Sequence, residues 1–430
     1  MTDKSQKTHR FMYMIGLIVA GEAVFLLPFH VSRFFRSSVL ELFELSNTEL
    51  GAAQGVYGIL GMVSYFLGGP LADRFQARKL LASSLWLTAL GGLYMTTFPG
   101  YREALFLWGF FGITSIMLFW AALIRATRDW GGCDEQGRAY GLLEGGRGLF
   151  AAVLASIAVF AFTFIFPDGY SLASFEEKRE AMRIVILGYT IATALAGVFV
   201  WFVISEAHPG GGQEQPQWEP GKENVWLHIV RVLRIPSVWL QALIIMCAYV
   251  GYKGYDNYSL YAVQGYGMDE IEAAGIVTMA SWMRSIAPIA CGLLGDRFTI
   301  SRMLAIVFGV LLASNLFFAI STPDPNTAWV LIGNTLIGCT AVFGLRGMYF
   351  ALLQEGNIPL ALTGTAVGVI SVVGFTPDIF VAYVGGILLD RSPGLLGHQH
   401  FFFFMATFAA IGMIASYASL RMLRRSRSAS

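Results

Sequence analysis

Apolar runs long enough to cross a bilayer recur from one end of this chain to the other, and they restrict its fold more than any other feature. Hydrophobic stretches broken by short polar turns predict helices over 11–38, 48–72, 79–98, 101–128, 136–166 and 181–206. They continue over 236–266, 269–295, 301–322, 326–355, 359–390 and 397–423. Twelve helices of about 20 to 25 residues would occupy roughly 240 to 300 positions. That agrees with the 56% of the 430 residues that are hydrophobic. Charged residues make up 13%, against about a quarter in a soluble domain, and mean hydropathy is +0.60. The expected fold class is all-α: a polytopic membrane protein with twelve transmembrane helices in two six-helix bundles. Lys and Arg number 29 against 28 Asp and Glu, so no polybasic face exists for nucleic acid.

The longest polar stretch, His208 to Arg234, carries a Gly/Pro cluster followed by a short basic amphipathic piece. It predicts an N-terminal bundle over 1–206, a cytoplasmic linker over 207–235 and a C-terminal bundle with a basic tail over 236–430. With the N-terminus inside, cytoplasmic segments hold about eighteen Lys and Arg, among them Lys4, Lys7, Arg10, Arg78, Lys79, Arg138 and Arg302, against about seven on the other side. Both termini are therefore expected in the cytoplasm, with the chain in the inner (cytoplasmic) membrane. The first apolar stretch is too long for a removable signal peptide. The four cysteines, Cys133, Cys247, Cys291 and Cys339, lie far apart and form no disulfide framework.

The two halves repeat one another. GGPLADRFQARKLL from Gly68 matches CGLLGDRFTISRML from Cys291 at constant offset, pairing Asp73 with Asp296, Arg74 with Arg297, Phe75 with Phe298 and Lys79 with Arg302. GRAYGLL at Gly137 echoes GTAVGVI at Gly364. The G-x-L-[AG]-D-R-F pattern resembles the signature loop of the major facilitator superfamily, whose twelve-helix layout also fits the chain. That resemblance implies a gating role for the loop: a latch of Asp73 with Arg125 or Arg128 as partner, and Asp296 in the second half, with Arg74 and Arg297 as the matching loop arginines. VSRFFRSSV at the end of helix one, Arg147 and the Tyr-Lys stretch of helix seven are similar to the organophosphate–phosphate antiporters and anion–cation symporters. By that similarity Arg33 and Lys253 would grip an anionic substrate.

An ionisable group near the bilayer centre costs about 2.5–3.5 kcal/mol, so each asks for a function and a partner. Glu22 lies roughly 16 Å into helix one and Glu144 roughly 15 Å into helix five. Arg147 follows Glu144 at i+3 inside EGGRG. Tyr249, Tyr252, Tyr255, Tyr258 and Tyr261 recur every third residue on helix seven, beside Lys253 and Asp256; the expectation is a cavity lining. Arg346 and Tyr349 lie on helix ten. Helices one, four, seven and ten line the cavity of the resembled family, so Glu22, Lys253, Asp256 and Arg346 should face it. Arg284 and Asp378 are candidates for the cavity or for a buried structural pair.

The expected function is secondary transport of a small organic anion by alternating access, as proton-coupled import. Arg33, Arg147, Lys253, Arg346, Tyr252, Tyr255 and Tyr349 are the substrate-binding candidates, and Glu22, Glu144 and Asp256 the proton carriers. Antiport, export of a metabolite or metal chelate, and a transporter-like receptor are the alternatives. The helix-five stretch GLLEGGRGLFAAVLA lacks the proline of drug–proton antiporters. No nucleophile–base pair stands at depth, so no enzymatic activity, cofactor or metal site is expected. The histidines, His30 and His398 among them, are expected mostly at helix ends and loops. A monomer is expected.

Overall fold

The computed structural model describes residues 3–132, 135–166, 169–204, 230–349, 352 and 363–429. Side chains are described for these apart from 3–7, 73, 136–137, 292–297, 325, 363–365 and 425–429. Helix dominates and no strand occurs among the described residues. Nine of these helices are long and apolar enough to cross a membrane. The three other predicted spans coincide with α5 (Ala77–Met95), with α10 (Pro236–Gly254) joined to α11 (Tyr258–Tyr266), and with α12 (Glu270–Ser281) joined to α13 (Met283–Arg297). The linker expected over 207–235 lies mostly outside the described residues.

Helix starts follow local chemistry. Ser46, Ser174 and Asp269 each form a capping box with the Glu three residues on and open α4 (Asn47–Arg74), α9 (Phe175–Val203) and α12. Pro236 and Pro377 open α10 and α17 (Pro377–Arg391), where a missing N–H costs nothing. Gly267 ends α11 in the left-handed region at φ 67°.

The first, fourth and seventh rods are each interrupted. After α1 (Asp3–Ala23) comes a π-helical turn, Leu26–His30, then α2 (Val31–Phe34) and α3 (Arg36–Leu42). Between α6 (Tyr101–Gly112) and α7 (Trp120–Gly131) lies a second π-helical stretch, Ile113–Leu118. A 3-10 turn, Tyr255–Asn257, separates α10 from α11. Such breaks free backbone groups and re-aim side chains, and in membranes they survive where protein or water surrounds them.

Glycines on α4 let α17 approach closely. A Cβ at Gly55 would stand 2.8 Å from the Ile379 carbonyl oxygen, and one at Gly58 would stand 2.6 Å from the Asp378 carbonyl. Close backbone contact substitutes for hydrophobic drive between helices in lipid. This contact joins residues before the linker to residues after it. So does the packing of α8 (Gln136–Ile165) on α12 and α13. The remaining rods, α14 (Ile300–Ile320), α15 (Ala328–Met348), α16 (Thr363–Gly374) and α18 (Leu395–Ala429), pack around α10 or α14.

The end of the molecule holding residues 38–48 is sealed by carboxylates from the second segment. Asp390 accepts from the Asn47 and Thr48 amides at 3.2 and 2.7 Å, capping α4 from another helix. Glu270 accepts from the Ser38 amide at 3.3 Å and Asp269 from the Ser171 amide at 2.9 Å.

Candidate functional site

The interrupted rods bring their charges to one level. Glu22 on α1 is 1% exposed, and both its oxygens are taken by Arg284 of α13, Nη1 donating to Oε1 at 2.6 Å and Nη2 to Oε2 at 2.9 Å. This fork is the bidentate geometry that suits guanidinium and carboxylate. Arg147 of α8 brings its Nε to 3.3 Å from Glu22 and donates to Glu144 at 2.5 Å. His30 Nε2 stands 3.1 Å from Glu22 Oε1, the oxygen that Arg284 Nη1 also bonds.

A second cluster lies across the cavity. Arg33 of α2 donates to Asp256 at 2.5 Å and to the Tyr252 hydroxyl at 3.3 Å. Lys253 lies 3.5 Å from Asp256 and 3.3 Å from Asp378, with its ammonium 4.2 Å from the Phe29 ring centre. Asp378 accepts from the Tyr249 hydroxyl at 3.0 Å. Asp256, buried, and Asp378, partly buried, thus hold three cationic contacts between them, which offsets the large desolvation cost of such groups.

Arg346 is different. Its guanidinium stacks 4.0 Å from the Tyr252 ring centre and 5.6 Å from that of Tyr249. Its Nη1 is buried without a hydrogen-bond partner, and it is the cavity base that forms no salt bridge among the described residues. A cavity with about 80 Å³ of space for water lies between the clusters, lined by Glu22, Arg33, Arg147, Lys253, Arg284 and Arg346 with Phe29, Tyr57, Trp120 and Tyr252. Five bases meet four carboxylates there, counting Glu144 and Asp256 as bonded neighbours. One positive charge is in excess, and Arg346 carries it.

The structure therefore assembles Glu22, Arg33, Glu144, Arg147, Tyr252, Lys253, Asp256 and Arg346, in part with partners the sequence did not indicate. Arg284 and Asp378 do not pair with one another: Arg284 grips Glu22, and Asp378 belongs to Lys253 and Tyr249. The tyrosine stripe divides. Tyr249 and Tyr252 face the cavity, Tyr255 lies under Arg33 and donates to the Val277 carbonyl. Tyr258 and Tyr261 pack instead against Phe318 and Phe402 in an aromatic core, because a three-residue repeat drifts around the helix. Tyr349 is buried and its carbonyl accepts from Gln241; it does not line the cavity.

Two histidines depart from the expected loops. His30 is 1% exposed at the cavity and His398 is fully buried, bonded to Gln264 at 2.9 Å. The π-helical turn carries His30 inward. Arg36, also fully buried, was not singled out by sequence. At the latch, Arg125 donates to the Ala72 carbonyl, one residue from Asp73. Arg74 is exposed and Arg128 is engaged. The side chains of Asp73, Asp296 and Arg297 lie outside those described.

A polytopic helical bundle with paired charges around a cavity is an architecture that membrane transporters use. A sequence model of the Major Facilitator Superfamily matches residues 11–382. The inner membrane protein YihN of Escherichia coli (strain K12) is 28% identical over 404 residues, covering 93% of each chain. The probable nitrate/nitrite antiporter NarK1 of Thermus thermophilus is 26% identical over 288 residues, covering 64% of this chain and 58% of that protein. The crystal structure of a bacterial homologue of the human lysosomal transporter Spinster, inward-facing and unoccupied, matches with a TM-score of 0.73 at 14% identity, over 96% of this chain and 98% of that one. The chain belongs to the Major Facilitator Superfamily.

Proposed function

We propose that this protein carries a small organic anion across the cytoplasmic membrane by alternating access, as inward symport with a proton. The observation that carries the reading is Arg346, stacked on Tyr252 with an unpartnered buried Nη1 beside a cavity whose paired charges leave one positive charge over. A monovalent anion would neutralise that excess and supply the missing acceptor. A charge-assisted bond of this kind contributes about 1.5–3 kcal/mol. Arg147, Arg33 and Lys253 surround it as bases already paired, able to exchange a carboxylate partner for the substrate. The narrow cavity favours a small ligand.

The segments 1–206 and 236–430 would rock as two bundles about this level. With both termini cytoplasmic, the end closed by Asp390, Glu270 and Asp269 faces outward, so the described conformation would be shut to the outside. The latch around Asp73 and Arg125, and its counterpart at Asp296, would hold the opposite state.

A second reading, exchange of anions without net proton movement, is favoured by the likeness to a protein named a nitrate/nitrite antiporter. Transport in proteoliposomes separates the two. A thermal-shift screen of carboxylates, sugar acids, organophosphates and metal chelates first supplies the labelled probe. An inward proton gradient should then drive uphill uptake of that probe. Flux that appears only with anion preloaded on the other side would instead mean exchange, and stabilisation without any flux would mean a receptor.

A further inference from the structure

We infer that His30 takes the coupling proton of this transporter, an inference that rests on the anion-transport reading above. The carboxylates of the site are poorly placed for that task. Glu22 is bound by both arms of Arg284 and approached by Arg147, and Asp256 is shared by Arg33 and Lys253. Protonating Glu22 would leave Arg284 without its counter-charge, and protonating Asp256 would do the same to Arg33, while Arg147 and Lys253 would fall back on Glu144 and Asp378 alone. Glu144 is bonded to Arg147 at 2.5 Å, a charge-assisted contact that protonation would weaken.

His30 has the opposite situation. Its Nε2 faces the Glu22 carboxylate at 3.1 Å, and a carboxylate only accepts, so Nε2 carries the hydrogen. Nδ1 is then a lone pair, and it is buried without any hydrogen-bond partner. A proton added there breaks no existing hydrogen bond. The ring lines the same cavity as Arg346. The charged groups around it are Glu22 on α1, Arg33 on α2, Arg284 on α13 and Arg147 on α8, the last two reaching it through Glu22. From α9 the Tyr189 ring stands edge-on at 6.2 Å, and Phe34 packs edge-on at 5.4 Å.

The charge count gives the coupling. With His30 neutral the site holds one positive charge in excess; protonation makes it two, and a monoanion restores one. Each arrival therefore favours the other, and by linkage the effect is reciprocal. The imidazole gains proton affinity when the anion is bound. Tight binding is thus present below the free protein's imidazole midpoint and is lost as pH rises toward the bound protein's higher one. His30 sits on the π-helical turn Leu26–His30 with Pro28 at its centre, a local irregularity that can change register as the bundles rock.

The test uses the full chain in detergent with potassium lactate, acetate and nitrate as probes. In weakly buffered solution, bound anion should draw up close to one proton. Between the two imidazole midpoints its affinity should fall about tenfold per pH unit. His30→Gln should bind more weakly, with no proton uptake and a flat pH profile. Histidine 15N resonances of the unmodified protein, with and without anion, should show Nδ1 of His30 becoming protonated on binding; this carries the test if His30→Gln fails to fold. Proton uptake that persists in His30→Gln, binding without proton uptake, or an unchanged His30 ring would overturn the inference alone. If none of the three anions binds anywhere from about pH 5 to 8, the anion reading falls and takes the inference with it.

Discussion

Glu22 illustrates what one buried charge requires of its surroundings: two guanidinium groups from helices far apart in sequence, and an imidazole from the π-helical turn just beyond its own helix. Removing its charge leaves Arg284 and Arg147 under-compensated. Glu22→Gln should therefore lower stability by about 3–5 kcal/mol, seen as a lower unfolding temperature in detergent. Adding Arg284→Met to that variant should recover part of the loss. A milder single variant, or no recovery in the double one, would mean the pair is dispensable. At the other cluster the prediction concerns ligand rather than stability. Arg346 makes no salt bridge among the described residues, so Arg346→Gln should fold normally and bind anion roughly ten- to hundredfold more weakly, a loss of about 1.4–2.8 kcal/mol. Arg346→Lys should recover only part of this, because an ammonium neither forks nor stacks on Tyr252 as a guanidinium does.

Among the elements, the pair α4 and α17 couples the two segments at both site and seal. Gly58 touches the backbone of Asp378, which in turn holds Lys253. Gly58→Val should force the helices apart, costing about 1–3 kcal/mol as overpacking does, and should shift transport kinetics as well as stability. The seal makes a separate prediction. Asp390→Ala removes the acceptor for the Asn47 and Thr48 amides and should favour opening at that end. With the native cysteines removed, a cysteine at Ser38, which is fully buried, should then react several-fold faster with an impermeant maleimide. An unchanged rate would mean the cap does not hold the gate. The capping boxes at Ser46, Ser174 and Asp269 are local, each joining residues three apart in sequence. The cap from Asp390 is not, since 342 residues separate it from Thr48.

For the whole molecule, the apolar runs and the repeated loop made the helical membrane fold and its family legible, because both depend on short-range patterns. The charges that matter could also be named, since ionisable groups inside apolar runs are conspicuous. Their partners could not. Glu22 and Arg284 stand 262 residues apart, and Arg33 and Asp256 stand 223 apart; only the packing of the two segments decides who meets whom. His30 was expected with the other histidines mostly at helix ends and loops, whereas a π-helical turn places it, buried, at the cavity. Orientation rests on the Lys and Arg bias and is testable on intact cells. A cysteine at Leu172, 78% exposed, should be labelled from outside, and one at Arg74 should not; the reverse pattern would invert the proposed topology. The central claim is that one uncompensated positive charge at Arg346 selects a small anion. Its most direct test compares lactate with its uncharged amide, lactamide, in binding to the purified protein and to Arg346→Gln. Lactate alone should bind, and the substitution should abolish most of that preference. Equal binding of acid and amide, or an undiminished preference in Arg346→Gln, would contradict it.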